Sequence, residues 1–289
     1  MNRHTNERLN RQTNAENKII HLKSVDSTNL YLKKLAAAGA EDGTVVTADT
    51  QSAGHGRAGN PFSSEEGGLY FSYLMRTAGL SVEETVSVTT RTAVAVVDAL
   101  YEACGIQAGI KWINDIILNS RKLAGILVEA GPFENGSIPY VVIGIGINVN
   151  RTEFPPELAS VAVSVKQETG GDQSIPRVID ALVSALNEMR EEYRCKSSGG
   201  TPAGGQDRGA GNNAGEKPTP RDCGGFMERY RRLCVTLGRD VVRERDGERC
   251  VCRAEDITDD GGLLVVYPDG SREVLRAGDT RVRGLEGYV

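Results

Sequence analysis

The sequence predicts an α+β protein in two folded parts: a larger part of strands and amphipathic helices, and a small all-β part after it. Three observations carry this. Residues 111–130, KWINDIILNSRKLAGILVEA, hold two short apolar runs, Ile116-Ile117-Leu118 and Ile126-Leu127-Val128. Between the runs lie the turn formers Asn119 and Ser120 and then Arg121 and Lys122, the pattern of a β-hairpin. Helical spacing with start and stop signals covers residues 24–39, 81–104 and 174–195. Beyond Gly238, short strands at 240–244, 249–256, 262–268, 272–276 and 280–282 are punctuated by Asp246-Gly247, Asp260-Gly261 and Asp269-Gly270. Asp-Gly between short strands is a strong hairpin signal, and such strands suggest an SH3-like barrel.

In chain order, residues 1–17 carry Leu9 as the single large apolar side chain after Met1 and are expected to be disordered. Residues 18–22 read as a strand. Ser27 or Thr28 then caps a helix with Leu30, Tyr31, Leu35 and Ala38 at helical spacing, and Gly39 ends it. Strands follow at 44–48 and, with aromatic alternation, at 68–76. Ser81 to Glu84 form a capping box opening a core helix that runs to about Cys104. After the hairpin, the Val/Ile-rich strand 140–149 is broken by Gly144 and Gly146, so it reads as central, with room for a ligand or a helix against it. Pro176 opens a helix whose stripe is Val178, Leu182, Ala185, Leu186, Met189 and Tyr193. Nine of the thirty residues 196–225 are Gly, a composition expected to be a flexible insertion. The expected division is therefore 1–17 disordered, 18–195 a catalytic domain, 196–225 an insertion, and 226–289 a connecting helix with the small barrel.

Composition excludes some classes of function. The chain of 289 residues has a net charge of −5, so it lacks the basic balance of a nucleic-acid binder. Seventeen residues before the first strand leave no room for a helix-turn-helix domain. No apolar run is long enough to span a bilayer, and the first 18 residues are too polar for a signal peptide. The six cysteines lack zinc spacing and are expected as thiols of a cytoplasmic protein.

Chemistry concentrates in two places. Residues 51–60, QSAGHGRAGN, bring Gly54, Gly56 and Gly59 together with His55 and Arg57. Glycines let backbone N–H groups approach an anion, and Arg57 can fork onto phosphate or carboxylate. A dinucleotide fingerprint would need a helix next, and Pro61-Phe62-Ser63-Ser64 follow instead. The hairpin adds Lys111, Asn114 and Asp115 near its start and Lys122 after its turn. Gly125 sits inside a strand pattern, where Gly marks a bulge or a close approach, here to a ligand along the strand.

Taken together, QSAGHGRAGN, KWINDI with RKLAGILVE, Ser27-Thr28-Asn29 in SVDSTN, and VVIGIGINVN resemble, in order and spacing, the motifs of the biotin–protein ligases. The resemblance covers about residues 18–195 well and 226–289 loosely. It implies a class II aminoacyl-tRNA-synthetase-like catalytic domain, a mixed sheet with helices, and an SH3-like domain after it. It also implies two-step acyl transfer: biotin and ATP give biotinyl-adenylate, and a lysine of a biotin carboxyl carrier protein then takes the biotinyl group. On the same basis Ser27, Thr28 and Asn29 are expected at the biotin ureido ring, and Gln51, His55, Gly56, Arg57 and Lys122 at biotin or its adenylate. The segment from Trp112 through Asn114 to Asp115 is expected beside the nucleotide and the reacting carboxyl, with Asp115 placing Mg²⁺ or acting as a strand-end carboxylate paired with Lys111 or Arg57. Trp112 fits either the core or the adenine.

The reaction itself constrains the roles. A carboxylate and an α-phosphate repel, so cations must neutralise both; Arg57, Lys122 and Lys111 are the candidates, with N–H groups around Gly54, His55 and Gly56. The chain departs from the family at His55 and Asn60, where arginine is common, leaving less fixed charge on the loop. The alternatives are a lipoate– or octanoate–protein ligase, a biotin-sensing regulator, and a homologue that binds without catalysis. No DNA or membrane partner is expected, and the chain is expected as a monomer or weak homodimer.

Overall fold

A computed structural model describes residues 10–14, 17–81, 84–133, 136–197, 225–276 and 280–285. Two sheets organise them. The first has eight strands: β1 (Asn10–Asn14), β2 (Asn17–Val25), β3 (Val45–Gln51), β4 (Gly68–Leu80), β5 (Gly109–Lys111), β6 (Asp115–Leu118), β7 (Arg121–Ala130) and β8 (Ile138–Asn148). Their order is β1-β2-β3-β4-β8-β7-β6-β5. The β2–β3 pair is parallel and the other pairs are antiparallel, so the sheet is mixed. Helix α1 (Thr28–Ala37) supplies the crossover between the parallel strands, as that geometry requires.

The second sheet is antiparallel, built from β9 (Asp240–Arg245), β10 (Glu248–Ile257), β11 (Leu263–Val266), β12 (Arg272–Leu275) and β13 (Arg281–Gly284) in the order β12-β11-β10-β9-β13. Asp246 and Gly247 between β9 and β10 sit at φ +51° and +82°, the left-handed pair of a tight hairpin. Helices α2 (Glu84–Cys104), α3 (Pro156–Ala159), α4 (Val165–Thr169), α5 (Ile175–Ser197) and α6 (Phe226–Leu233) complete the chain. The Ser81–Glu84 capping box is present: Glu84 N–H donates to Ser81 Oγ at 3.2 Å and Ser81 N–H to Glu84 Oε2 at 2.8 Å.

One expectation fails within residues 1–17. Residues 10–14 form edge strand β1, paired antiparallel with β2 from Asn10↔His21 to Asn14↔Asn17. The sequence NRQTN has no apolar alternation to announce a strand, and the backbone ladder does not depend on one. Residues 1–9, 15 and 16 lie outside the described residues, as does 198–224, the bulk of the expected insertion. Helix α5 runs to Ser197, past the expected boundary at 195.

The core is continuous between the two sheets. Ala93, Val96, Val97 and Leu100 of α2 and Val178, Leu182 and Leu186 of α5 are buried in one cluster with β4, β7 and β8, and that cluster extends to Val241, Ala254 and Val265 of the second sheet. Burying such a face contributes roughly 25 cal/mol per Å² of apolar surface. Helix α6 ties the second sheet to the first part by polar contacts as well, with Arg231 Nε donating to Ile257 O of β10 at 2.8 Å. Arg229 of α6 bridges to Asp98 of α2 at 2.6 Å. The buried Tyr230 hydroxyl donates to Ile113 O at 3.2 Å. Among the described residues no helix is long and apolar enough to cross a membrane.

Candidate active site

The hairpin is where local sequence most directly builds the site. Asn119 and Ser120 both adopt positive φ, +48° and +63°, the requirement of a two-residue type I′ turn between β6 and β7. A register shift between Ile116 and Ile117 sets Lys122 opposite Ile117, and its side chain folds back so that Nζ meets Asp115 Oδ1 at 2.6 Å. Asp115 thus pairs with Lys122, while Lys111 and Arg57, its expected partners, both feel its charge. Backbone bonds hold Lys122 in place, from its N–H to Val161 O at 2.7 Å and from Val163 N–H to its carbonyl at 3.0 Å.

A cavity of about 440 Å³ opens over this hairpin, within the usual size of a small-molecule site. Ser27, Thr28, Asn29, Gln51, His55, Gly56, Arg57, Lys111, Trp112, Asn114, Asp115, Lys122 and Gly125 all line it. Gly54 does not. A Cβ there would fall 2.3 Å from Ser64 Oγ and 2.9 Å from Gln51 Nε2, so the packing beneath the loop requires glycine. The loop also closes on itself. Gly56 N–H donates to Asn60 O at 2.7 Å and Phe62 N–H to Gly54 O at 2.9 Å, which commits the Gly56 N–H expected for an anion.

The floor of the cavity is neutral and already hydrogen-bonded. Ser27 caps α1 by accepting from Leu30 N–H at 3.4 Å. Gln51 Oε1 accepts from Thr28 N–H at 2.8 Å, and Gln51 Nε2 donates to Ser64 Oγ at 3.0 Å. Asn29 Nδ2 donates to Glu129 Oε2 at 2.8 Å. The two glycines of β8 explain themselves here. A Cβ on Gly144 would lie 2.4 Å from Asn29 Oδ1, and one on Gly146 2.5 Å from the Phe62 ring. Gly144 admits a helix residue, and Gly146, opposite Gly125 in the ladder, admits an aromatic ring.

The opposite end is cationic. Arg57 Nη1 donates to Asn114 Oδ1 at 3.1 Å, and Asn114 Nδ2 donates to Ile126 O at 2.7 Å, which ties the glycine loop to the hairpin. Burial lowers the Arg57 pKa, with Asp115 opposing and Arg281 adding to the shift. Burial also pushes the Lys111 ammonium down to about 8; Asp115 opposes this, while Lys122 and Arg283 reinforce it. Trp112 is buried. Its indole N–H donates to Gly261 O at 2.9 Å and its backbone N–H to Thr236 Oγ1 at 3.0 Å. It therefore bridges the two sheets and lends the cavity one face.

Of the lining residues that escaped the sequence reading, Phe62, Arg281 and Arg283 shape the cavity most. Phe62 sits on the glycine pair, with Lys122 Nζ 5.9 Å from its ring centre. Arg281 and Arg283 of β13 bring the second sheet to the cavity mouth. An aromatic residue directly after a glycine loop was a readable signal for Phe62. Nothing local marks the two arginines, because a long stretch of chain separates them from the hairpin. Asp115 is the single carboxylate among the described lining residues, and no group of three or more His, Cys, Asp or Glu side chains suited to a metal occurs among the described residues.

The chain is similar to known proteins in sequence and in fold. Residues 21–148 match the model of the biotin/lipoate A/B protein ligase family. A bifunctional ligase/repressor of Bacillus subtilis is 38% identical over 178 residues, 61% of this chain and 54% of that protein. The chain thus spans about half the length of that relative. A biotin–[acetyl-CoA-carboxylase] ligase of Paracoccus denitrificans is 34% identical over 170 residues, 57% of this chain and 70% of that protein. Among solved structures, a biotin protein ligase of Aquifex aeolicus in complex with biotin and ATP superposes with a TM-score of 0.69 at 25% identity, covering 92% of this chain and 98% of that one.

Proposed function

Because this chain belongs to the biotin/lipoate A/B protein ligase family, we propose that it is an ATP-dependent ligase joining biotin to a lysine of a biotin carboxyl carrier protein. The observation that carries this is one cavity with a neutral, hydrogen-bonding floor and a cationic mouth. A urea head fits the floor: Ser27, Thr28, Asn29 and Gln51 offer hydroxyl and amide partners. A carboxylate and a nucleotide phosphate fit the mouth, where Arg57, Lys111 and Lys122 converge. Lipoate and octanoate carry no urea head, so they would leave the remaining hydrogen-bonding capacity of the floor unused, at about 1–3 kcal/mol for each group left short of a partner.

In the first step a biotin carboxylate oxygen attacks the α-phosphorus and pyrophosphate leaves. Lys122 and Arg57 neutralise the two approaching anions, and Asn114 aims the guanidinium. Asp115, the single lining carboxylate, would be the residue to hold Mg²⁺, which would supply neutralisation of phosphate charge. In the second step the acceptor amine attacks the acyl carbon, AMP departs with the electron pair of the anhydride bond, and an amide remains. Pyrophosphate release tests this reading with biotin, lipoate and octanoate compared at equal concentration. Release dependent on biotin supports it; release with lipoate or octanoate and none with biotin overturns it.

A further inference from the structure

The turn between β5 and β6 is short, and it carries much of the cationic end of the cavity. Lys111 and Asp115 are paired across the two strands, so Trp112, Ile113 and Asn114 alone lie between them. Each of the three is tied to a different part of the protein. Trp112 is tied to the second part: its N–H donates to Thr236 Oγ1 at 3.0 Å and its indole N–H to Gly261 O at 2.9 Å. Asn114 is tied to β7. Its Nδ2 donates to Ile126 O at 2.7 Å, and its carbonyl accepts from Ile126 N–H at 3.0 Å. The Ile113 carbonyl is taken by the Tyr230 hydroxyl of α6, at 3.2 Å.

Packing alone does not ask for that hydroxyl. Tyr230 is the fully buried residue of α6, and it does not line the cavity. Phe226, Tyr230 and Leu233 recur at i, i+4 and i+7, a stripe that phenylalanine at 230 would complete equally well. A buried hydroxyl needs a partner, and here the partner is a carbonyl of the turn. Burial raises the Tyr230 pKa well above its ordinary value, with nearby Arg57 opposing, so the phenol keeps its proton and donates. The flanking residues fix the helix that aims it. Arg229 grips both Asp98 oxygens on α2 at 2.6 Å, and Arg231 Nε donates to Ile257 O at the end of β10 at 2.8 Å. Successive helix residues point about 100° apart, so three consecutive side chains reach α2, the turn and the second sheet.

We propose that Tyr230 is a positioning residue for Arg57, acting through the Ile113–Asn114 peptide and the Asn114 side chain. The peptide is planar, so a donor on Ile113 O fixes the plane from which the Asn114 Cα departs. Ile126 grips Asn114 only beyond that Cα, at its carbonyl and its amide nitrogen, and does not set the plane before it. With both anchors in place, Asn114 Oδ1 meets Arg57 Nη1 at 3.1 Å. The proposal rests on the ligase reading above, in which Arg57 neutralises the reacting anions, and it names a residue outside the cavity on which that role depends.

The experiment is Tyr230→Phe, which removes one oxygen and keeps the ring, with kcat and biotin KM measured by biotin-dependent pyrophosphate release. Tyr73→Phe is the control for stability. Tyr73 is equally buried, its hydroxyl donates to Asn187 Oδ1 at 2.7 Å, and it does not line the cavity. Both variants should lower the melting temperature, each having lost one buried hydrogen bond. Tyr230→Phe alone should lower kcat, by about 10-fold, with biotin KM within about twofold of the parent, the scale of a small misplacement of a reacting group. In Asn114→Ala, where nothing remains to aim Arg57, adding Tyr230→Phe should lower kcat no further, whereas independent losses would multiply. An unchanged kcat in Tyr230→Phe, an equal loss in Tyr73→Phe, or losses that multiply in Tyr230→Phe/Asn114→Ala overturns the proposal. A Tyr230→Phe chain that does not fold at any temperature assigns the hydroxyl to stability and overturns it too. A parent protein that releases no pyrophosphate with biotin overturns the ligase reading itself, a result distinct from any difference among variants.

Discussion

At the floor of the cavity the polar groups are neutral, buried and bonded to one another; at the mouth they are charged and drawn from the glycine loop, the hairpin and the second sheet. The two ends achieve order by different means. The floor is ordered by hydrogen bonds among its own groups, from Thr28 to Gln51, Gln51 to Ser64 and Ser72 to Asn29. The mouth is held by opposed charges: Asp115 lies against Lys122, and Arg57 and Lys111 are both shifted by burial and by neighbouring cations. A preorganised neutral floor suits discrimination of a head group. A mouth of crowded cations suits anions that arrive with their own charge. Substitutions at the two ends should therefore separate cleanly in kinetics.

The largest effect is expected at the mouth. Lys122→Ala removes a cation that the proposed mechanism sets against the reacting groups and leaves Asp115 without that partner. It should slow biotin-dependent pyrophosphate release by about 10²-fold or more, the scale of losing one preorganised donor. Undiminished release would remove Lys122 from the chemistry. On the floor, Gly144→Ala drives a Cβ into Asn29 and should raise biotin KM about 10-fold while sparing ATP KM, the scale of one buried hydrogen bond. Equal losses for both substrates would mean that the two ends are not separable.

The third expectation concerns pH. Lys111 is pushed down to about 8, so its positive charge is present below that pH and lost as pH rises through it. KM for ATP should rise above about pH 8 in the parent protein and stay flat in Lys111→Arg, since arginine keeps its charge throughout. A parent profile that is flat from pH 7 to 9, or an unchanged alkaline limb in Lys111→Arg, would separate Lys111 from nucleotide binding. A smaller change is expected from Arg281→Ala: about threefold in ATP KM, because an exposed cation contributes little. Binding measured by titration of the nucleotide checks it, and an effect on biotin instead would place β13 at the wrong end.

How much of this was legible in the sequence follows the same division. The hairpin, the cap at Ser27, the central strand and the five short strands were readable because each is announced locally by period, turn residues or a cap. The joint membership of Gln51, Arg57, Lys111 and Lys122 in one cavity was readable only through the ordered motifs. What was missed depends on long-range placement. Arg281 and Arg283 reach the mouth because α6 and Trp112 seat the second sheet there. Glu129 meets Asn29 and Lys33 because β7 runs past α1. Gly54 packs against Ser64 and Gln51, and a glycine that admits side chains looks, in sequence, the same as one that admits a phosphate. Strand β1 was missed because its pairing with β2 is a property of backbone, not of its polar side chains.

The most direct test of the central claim is intact-mass measurement of a biotin carboxyl carrier domain after incubation with this protein, biotin and ATP. The expected result is a mass increase equal to biotin less one water, on one lysine, absent without ATP and absent when that lysine is replaced by arginine. No mass change, or an ATP-dependent addition with lipoate or octanoate and none with biotin, would contradict it.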